Sequence, residues 1–318
     1  MSFSGKRILV TGGAGFIGSH LTKRLIREGA DTHLFIREHT DTEMLKALLP
    51  SATLHTIDLD DHKEVKRALG VVSPQGIFHL AAVNQSYAAH PTMEQLFRGN
   101  AQNAINLMEA ASLIPLEFFV NTTTFVEVGP KAWPVREDDP LEPMELYGIS
   151  RVPGTLYAQA LGKYQSKPFV TVRVFTPYGP SVQKGKLVYE VIVKALSGSD
   201  IRLSRANVTR DFVYIDDLVD LFVRAASNAG THPGHTFNGG SGTATTLEKL
   251  VESVLKYTGS KSVVSWSGED VSYDRALWQA DISKSAELLS WKPAYSLDEG
   301  IVKTVEWFRT HTGRGSSE

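Results

Sequence analysis

The chain has 318 residues and a formal net charge of −2, from 33 basic and 35 acidic side chains. This length allows a large buried core without cross-links. The near-neutral charge offers no basic surface for nucleic acid or an anionic membrane. The absence of cysteine excludes disulfides, thiolate nucleophiles and cysteine-ligated metals. We therefore expect a small-molecule enzyme that has no metal and binds neither nucleic acid nor membrane.

Short apolar runs alternate with helical patterns through the first half of the chain. Residues 8–10 and 118–120 are continuous apolar runs, which suit strands covered on both sides. The alternation of strand and helix is typical of a parallel sheet with helices on both faces. Strands are predicted at 8–11, 32–36, 77–80, 117–121 and 170–175, and helices at 17–28, 43–49 and 96–112.

The pattern is less regular after residue 180. Helices are predicted at 187–197, 216–227 and 247–257, and sheet segments at 211–215 and 237–240. We interpret residues 1–175 as one domain, to which segments near 211–240 return, and residues 176–318 as a smaller interleaved α/β domain. No run of about 18 apolar residues predicts a membrane span, and no targeting segment is evident at the start. We therefore expect a cytoplasmic protein.

Several glycines lie where the first predicted strand turns into the first predicted helix. Such glycines let the backbone approach a pyrophosphate, which binds at the helix N-terminus. The strand, turn and helix together predict a dinucleotide site on a Rossmann fold, a doubly wound parallel sheet. The residues predicted to bind the cofactor in this segment are Gly12, Gly15, Phe16, Ile17 and Gly18.

The three-residue spacing of these glycines resembles the extended short-chain dehydrogenases/reductases, the family of NAD(P)-dependent nucleotide-sugar epimerases and dehydratases. The resemblance extends across nearly the whole chain and implies a nucleotide-diphosphate sugar as substrate and a homodimer built on helices near 100–111 and 149–163. The further matching segments are Asp58, His79–Ala82, Asn100, Arg210–Asp217, Asn238–Ser241, Asp281–Lys284 and Trp291–Pro293.

The resemblance implies further cofactor contacts. Asp58 would contact the adenine, and Leu59 and the turn Leu80, Ala81 and Ala82 would line the dinucleotide. An acid normally follows the second strand and binds the ribose hydroxyls of NAD. Arg37 stands there instead, and a guanidinium can hold a 2′-phosphate through charged hydrogen bonds. This favours NADP, with NAD as the alternative.

The resemblance also implies three catalytic residues. Thr124 would hydrogen-bond the substrate oxygen, Tyr147 would move the proton, and Arg151 occupies the place of the family's lysine. A phenol titrates at about 10 and needs a nearby cation to ionise near neutrality. Arg151 keeps that charge and could bind the nicotinamide ribose, but it cannot relay a proton. Pro153, inside the same predicted helix, should remove a hydrogen bond and bend the chain.

The residues after Thr124 bear on the reaction type. Dehydratases and decarboxylases of this family carry an acid two residues after the threonine, whereas this chain has Phe125 and Val126. Glu127 is one position further, and one step along a strand turns a side chain to the other face. We therefore interpret Glu127 as structural or compensatory unless a bulge intervenes in the strand, which lowers the expectation of a dehydratase.

The substrate side contains several predicted contacts. Arg210 and Arg275 resemble the family's diphosphate-binding arginines, whose forked guanidinium matches phosphate oxygens. Thr176 replaces the asparagine that usually contacts the substrate, and Gln85 and Ser86 should border the sugar.

Two kinds of function remain open. The first is a 4-epimerase or 4-ketoreductase, and Arg37 favours the reductase because NADPH is the usual pool for reduction. A 4,6-dehydratase or decarboxylase is the alternative within the family. The second kind is a catalytically silent sensor of NADP(H) or sugar nucleotide, which Arg151 and Pro153 would allow.

Overall fold

The computed structural model describes residues 2–83, 91–268 and 277–311. The strands are β1 (Arg7–Thr11), β2 (Asp31–Ile36), β3 (Ala52–Thr56), β4 (Gly76–His79), β5 (Phe118–Thr124), β6 (Phe169–Val174), β7 (Thr176–Tyr178), β8 (Ile201–Leu203), β9 (Thr209–Arg210), β10 (Phe212–Tyr214), β11 (Thr236–Gly239), β12 (Thr245–Thr246) and β13 (Val264–Trp266). The helices are α1 (Phe16–Arg27), α2 (His62–Val72), α3 (Met93–Leu96), α4 (Asn103–Ser112), α5 (Leu146–Gln165), α6 (Leu187–Ser197), α7 (Ile215–Ser227), α8 (Leu247–Thr258), α9 (Ser283–Leu289) and α10 (Leu297–His311).

Seven strands form the central sheet, in the order β11-β6-β5-β4-β1-β2-β3. Every neighbouring pair in it is parallel. The order reverses direction at β1, where the chain first winds towards β3 and then crosses to β4, as in doubly wound sheets. The predicted fold class is therefore confirmed.

Alternate residues of the central strands enter two separate cores, one on each face of the sheet. Ile8 and Val10 belong to the core that includes residues of α1 and α7, whereas Leu9 packs with residues of α2, α4 and α5. All three side chains are fully buried. The strand side-chain period of two explains the division, and burial on both faces explains the continuous apolar runs.

The second half of the chain contributes both to the central sheet and to three small ones. β11 pairs with β6 at the edge of the central sheet, whereas β10 pairs with β7 in a separate two-stranded sheet. The other small sheets are β9 with β12 and β8 with β13. Within the described ranges no helix is long and apolar enough to cross a membrane.

Two predicted helices differ from the structure. Residues 43–49 form short 3₁₀ turns, Glu43–Leu45 and Leu49–Ser51, instead of an α-helix. Pro50 explains this, because a proline lacks an N–H and disfavours helical backbone at the residue before it. The predicted helix at 96–112 is interrupted by a π-helical segment, Phe97–Gln102, between α3 and α4.

A buried ion pair joins three elements behind the carboxyl end of β5. The Glu127 carboxylate accepts hydrogen bonds from the hydroxyls of Thr123 at 2.6 Å and Thr155 at 2.8 Å. It also accepts one from Arg173 Nε at 2.9 Å, and both charged side chains are fully buried. Glu127 is therefore structural, as expected, and it ties β5, α5 and β6 together.

We expect Arg173→Met to lower the free energy of unfolding by about 3–5 kcal/mol, because it leaves the Glu127 charge buried and unpaired. Arg67→Met is the control, since Arg67 pairs with Glu64 at the surface with 71% of its side chain exposed. Its loss should stay below about 1 kcal/mol. Urea unfolding of both variants measures the difference, and equal losses would show that the buried pair contributes no more than a surface pair.

Candidate active site

A cleft of about 830 Å³ runs along the carboxyl ends of the central strands. Parallel strands bring their carboxyl ends to one edge, where the turns after them form a ligand crevice. Most of the predicted site residues line it: Gly12, Gly15, Phe16, Ile17, Gly18, Arg37, Leu59, Leu80, Ala81, Ala82, Thr124, Tyr147, Arg151 and Thr176.

The glycine turn is shaped by contacts that leave no room for side chains. Gly12 has a φ of +71°, and a Cβ atom there would lie 2.5 Å from the Ala81 amide nitrogen. A Cβ atom on Gly18 would collide with the carbonyl oxygen of Gly12. No side chain caps the N-terminus of α1, and its first turn holds no acidic residue. This end of the helix can therefore receive a phosphate.

Thr11, at the end of β1, connects the glycine turn to the turn after β4. Its hydroxyl shares a 2.7 Å hydrogen bond with His79 Nδ1 and accepts one from the Ala81 amide at 3.3 Å. His79 is fully buried, and burial, with the charge of Arg151, lowers its pKa to about 3. The imidazole is therefore neutral and fixes the wall of the cleft, rather than acting as a base.

Asn100 anchors the same wall from the π-helical segment. Its side chain exchanges hydrogen bonds with the backbone of Val83, at 2.8 and 3.0 Å, and donates to the Ser150 hydroxyl at 2.9 Å. Ser150 in turn donates to the Tyr147 carbonyl at 2.7 Å. A π-bulge at this point, a common feature of functional sites, links the cleft wall to α5.

A basic side chain, Arg37, lies at the end of the cleft next to β2. Arg37 directly follows β2, is exposed and lines the cleft beside Thr40 and Asp41. Its backbone amide donates to the Thr40 hydroxyl at 2.9 Å, which shapes the turn. Asp58 is exposed and is not a lining residue, although its neighbour Leu59 is.

Thr124 and α5 meet in the middle of the cleft. Thr124 is the last residue of β5, and Tyr147 and Arg151 lie on successive turns of α5. The Arg151 guanidinium donates from Nη2 to the Thr122 carbonyl. Arg151 is only 5% exposed, yet its Nε and Nη1 atoms have no partner among the residues that the structure describes. Buried donors of this kind call for a ligand.

The electrostatics around Tyr147 are mixed. Burial raises its pKa, the Arg151 charge lowers it, and the Glu127 charge raises it. Arg151 therefore acts in the direction that a catalytic phenol needs. α5 runs without interruption from Leu146 to Gln165 in spite of Pro153, so the proline does not end the helix that carries Tyr147.

A sequence model of the NAD dependent epimerase/dehydratase family matches residues 8–240. The chain belongs to this family. It is 30% identical to the UDP-glucose 4-epimerase of Mycolicibacterium smegmatis, over 95% of this chain and 98% of that protein. Among solved structures, the UDP-glucose 4-epimerase of Thermotoga maritima with UDP-glucose has a TM-score of 0.86 and 26% identity, over 96% of this chain and 99% of that one.

A second structure of the epimerase/dehydratase fold was solved with NAD. The UDP-glucuronic acid 4-epimerase of Bacillus cereus, in complex with UDP-glucuronic acid and NAD, has a TM-score of 0.86, 24% identity, and coverage of 96% of this chain and 99% of that one. The family is NAD-dependent by description. The residues of this chain fit a dinucleotide, since the glycine cradle, the uncapped N-terminus of α1 and Arg151, which has unpartnered buried nitrogens, all belong to one cleft.

The family's substrate residues are only partly described. Thr176 lines the cleft, whereas Arg210 is not a lining residue. Gln85, Ser86 and Arg275 lie outside the described residues. Three charged lining residues were not predicted from the sequence, Asp41, Glu145 and Lys186. No sequence motif marks them, and they reach the cleft through the packing of the segments that carry them.

We expect the stability of the protein to fall as pH drops from about 6.5, partly because of His79. The pKa of His79 is lowered to about 3 in the folded chain from the ordinary 6.5, so between these values the unfolded chain binds the extra proton. His79→Asn keeps a partner for Thr11 and removes that proton. Its unfolding free energy should depend less on pH, by up to about 1.4 kcal/mol per pH unit.

Urea unfolding at pH 6.5, 5.5 and 4.5 measures this slope. Identical slopes for His79→Asn and the unmodified protein would contradict the proposed neutral state of His79.

Proposed function

We propose that the protein is a nucleotide-sugar 4-epimerase, which inverts a hexose at C4. The observation that carries this proposal is the position of Thr124, Tyr147 and Arg151 in the same cleft as the glycine turn. The relatives named above, which are 4-epimerases, support it. The nicotinamide of a bound dinucleotide would take a hydride from the sugar and return it, a reaction that no side chain could perform.

Each catalytic residue then has one task. The Tyr147 phenolate accepts the proton of the C4 hydroxyl and later returns it, and the Thr124 hydroxyl orients that oxygen by a hydrogen bond. Arg151 stabilises the phenolate by its charge, and as a lining residue with unpartnered Nε and Nη1 atoms it would donate to the hydroxyls of a nicotinamide ribose.

The arginine at position 151 favours epimerisation over reduction. A reductase consumes a proton from solvent in every turnover, and a lysine beside the tyrosine can pass it on. A guanidinium stays protonated and cannot. An epimerase needs no such supply, because the proton that Tyr147 takes from the sugar goes back to it. In an epimerase, Tyr147 would therefore end each turnover in the protonation state in which it began.

Other reactions of the family are less well supported. Phe125 and Val126 occupy the positions after Thr124, and the Glu127 carboxylate faces Thr123, Thr155 and Arg173 instead of the cleft. A 4,6-dehydratase or decarboxylase would lack its acid there. The second candidate is a 4-ketoreductase, which the exposed Arg37 favours through NADP(H).

For the cofactor, we propose that Arg37 selects NADP(H) within this NAD-dependent family. Its exposure at the adenosine end of the cleft leaves the guanidinium accessible to a 2′-phosphate. The nearest acidic lining residue, Asp41, is engaged with the Glu43 amide at 2.9 Å.

We also propose a homodimer formed through α4 and α5. Apolar side chains are exposed along both: Phe97 and Leu113 flank α4, and Leu156 and Tyr164 lie on α5, with Tyr164 87% exposed. Pairing of the two helices across a two-fold axis would bury these side chains in a four-helix bundle.

Tyr147→Phe should lower the rate of C4 inversion of UDP-glucose by about 10²–10⁴-fold, because the phenol is needed only at the proton transfer. Dinucleotide binding should be nearly unchanged. Tyr164→Phe, on the exposed face of the same helix, should keep full activity. Unmodified protein should interconvert the C4 epimers without net change in the absorbance of reduced nicotinamide.

The alternatives give different results in the same assays. Stoichiometric oxidation of NADPH by a 4-keto sugar nucleotide would replace the epimerase with a ketoreductase. If the protein binds both dinucleotide and sugar nucleotide but forms no product, the catalytically silent sensor is the function that remains.

Arg37→Asp should weaken NADPH binding relative to NADH by about 1–3 kcal/mol, the range for a lost charged hydrogen bond. Fluorescence titration of both dinucleotides measures the ratio. Arg202→Asp makes the same charge change at an exposed arginine that does not line the cleft. It should not change the ratio of the NADPH and NADH affinities. An unaltered ratio in Arg37→Asp would remove the 2′-phosphate role.

A further inference from the structure

Glu145 places a carboxylate in the cleft two residues before Tyr147. It is the N-cap residue of α5, but its side chain makes no capping hydrogen bond to that helix. The side chain is half-buried and lines the cleft. Within the part of the chain that the structure describes, no donor hydrogen-bonds its carboxylate. An acid that neither caps its helix nor pairs with a neighbour is available to a ligand.

The electrostatics locate this carboxylate on the substrate side. Burial raises the pKa of Glu145, and the charge of Arg210 lowers it. Glu145 therefore lies within electrostatic reach of Arg210, which resembles the family's diphosphate-binding arginine, and close in the chain to Tyr147. In a sugar nucleotide the hexose is bonded to the diphosphate and carries the reacting C4 atom, so a carboxylate that lines the cleft close to both Tyr147 and Arg210 would border the hexose.

Among the described residues, the cleft that Glu145 lines combines aromatic side chains with a few cations. Phe125 and Phe175 both line the cleft and stack with ring centroids 5.2 Å apart. The nearest lining cation along α5 is Arg151, whose guanidinium is held at the Thr122 carbonyl. Lys186 lies before a different helix, α6, and also lines the cleft.

We propose that Glu145 is a specificity-determining residue that selects nucleotide sugars with a neutral hexose over those with a hexuronic acid. The proposal rests on the proposed nucleotide-sugar function. A neutral hexose offers hydroxyls that donate to the carboxylate, whereas the carboxylate of a uronic acid repels it. Both sugars occur among the similar proteins described above, UDP-glucose in the name of one and UDP-glucuronic acid in that of another.

The test is calorimetric binding of UDP-glucose and UDP-glucuronate to protein loaded with dinucleotide. Unmodified protein should bind UDP-glucose more tightly, by about tenfold or more. Glu145→Gln keeps the shape of the side chain and removes its charge, so it should strengthen UDP-glucuronate binding. The ratio of the UDP-glucuronate to the UDP-glucose dissociation constant should fall by about tenfold. Glu142→Gln is the control, since Glu142 is exposed, pairs with Lys131 and does not line the cleft.

Each outcome decides one question. A narrowed ratio in Glu145→Gln, with the ratio of Glu142→Gln unchanged, supports the proposal. An unchanged ratio in Glu145→Gln, or a change of equal size in Glu142→Gln, overturns it while the proposed function stands. Failure of both nucleotide sugars to bind the unmodified protein overturns the proposed function, and this inference with it.

Discussion

The Glu127 carboxylate holds the two halves of the candidate catalytic site together. It accepts hydrogen bonds from Thr123, next to Thr124, and from Thr155, one helical turn beyond Arg151. Its charge is balanced by the equally buried Arg173. A buried ion requires such a partner, and the pair is directional, so β5, α5 and β6 have one relative position in which all three contacts form. The geometry of the site is thus coupled to the folding of the central sheet.

A second constraint operates at the cofactor edge. The main chain of the glycine turn and that of the turn after β4 approach so closely that Gly12 has no space for a Cβ atom beside Ala81. The buried pair of Thr11 and His79 sets this distance, because each side chain extends from the end of one of the two strands. The residues that shape the proposed dinucleotide site are therefore also residues that pack the core. Few substitutions could change the shape of that site without also changing core packing.

The buried strands and the glycine turn could be predicted from the sequence because each depends on a local pattern of residues. The strands around Leu9 and Phe119 were evident because burial on both faces requires continuous apolar runs, and the glycine turn because its chemistry requires glycine. The helix predicted at 43–49 was wrong, since the constraint from Pro50 outweighed a weak helical period. Glu145 could not be predicted, because only the packing of α5 brings it into the cleft. The roles of the site residues remain predictions.

Arg37 suggests a reductase and Arg151 an epimerase. Arg37 would affect the binding of the dinucleotide, whereas Arg151 would affect the transfer of the proton. Arg37 is at the adenosine end, where a 2′-phosphate is the same in the oxidised and the reduced dinucleotide. Its contribution to binding is therefore uniform through the reaction and cannot set the direction in which hydride moves. Arg151 lies one helical turn after Tyr147, and in the proposed reaction a side chain that never deprotonates limits the route of the proton that Tyr147 would hold. The reaction type is thus better inferred from Arg151, which supports an epimerase even if the bound dinucleotide is NADP.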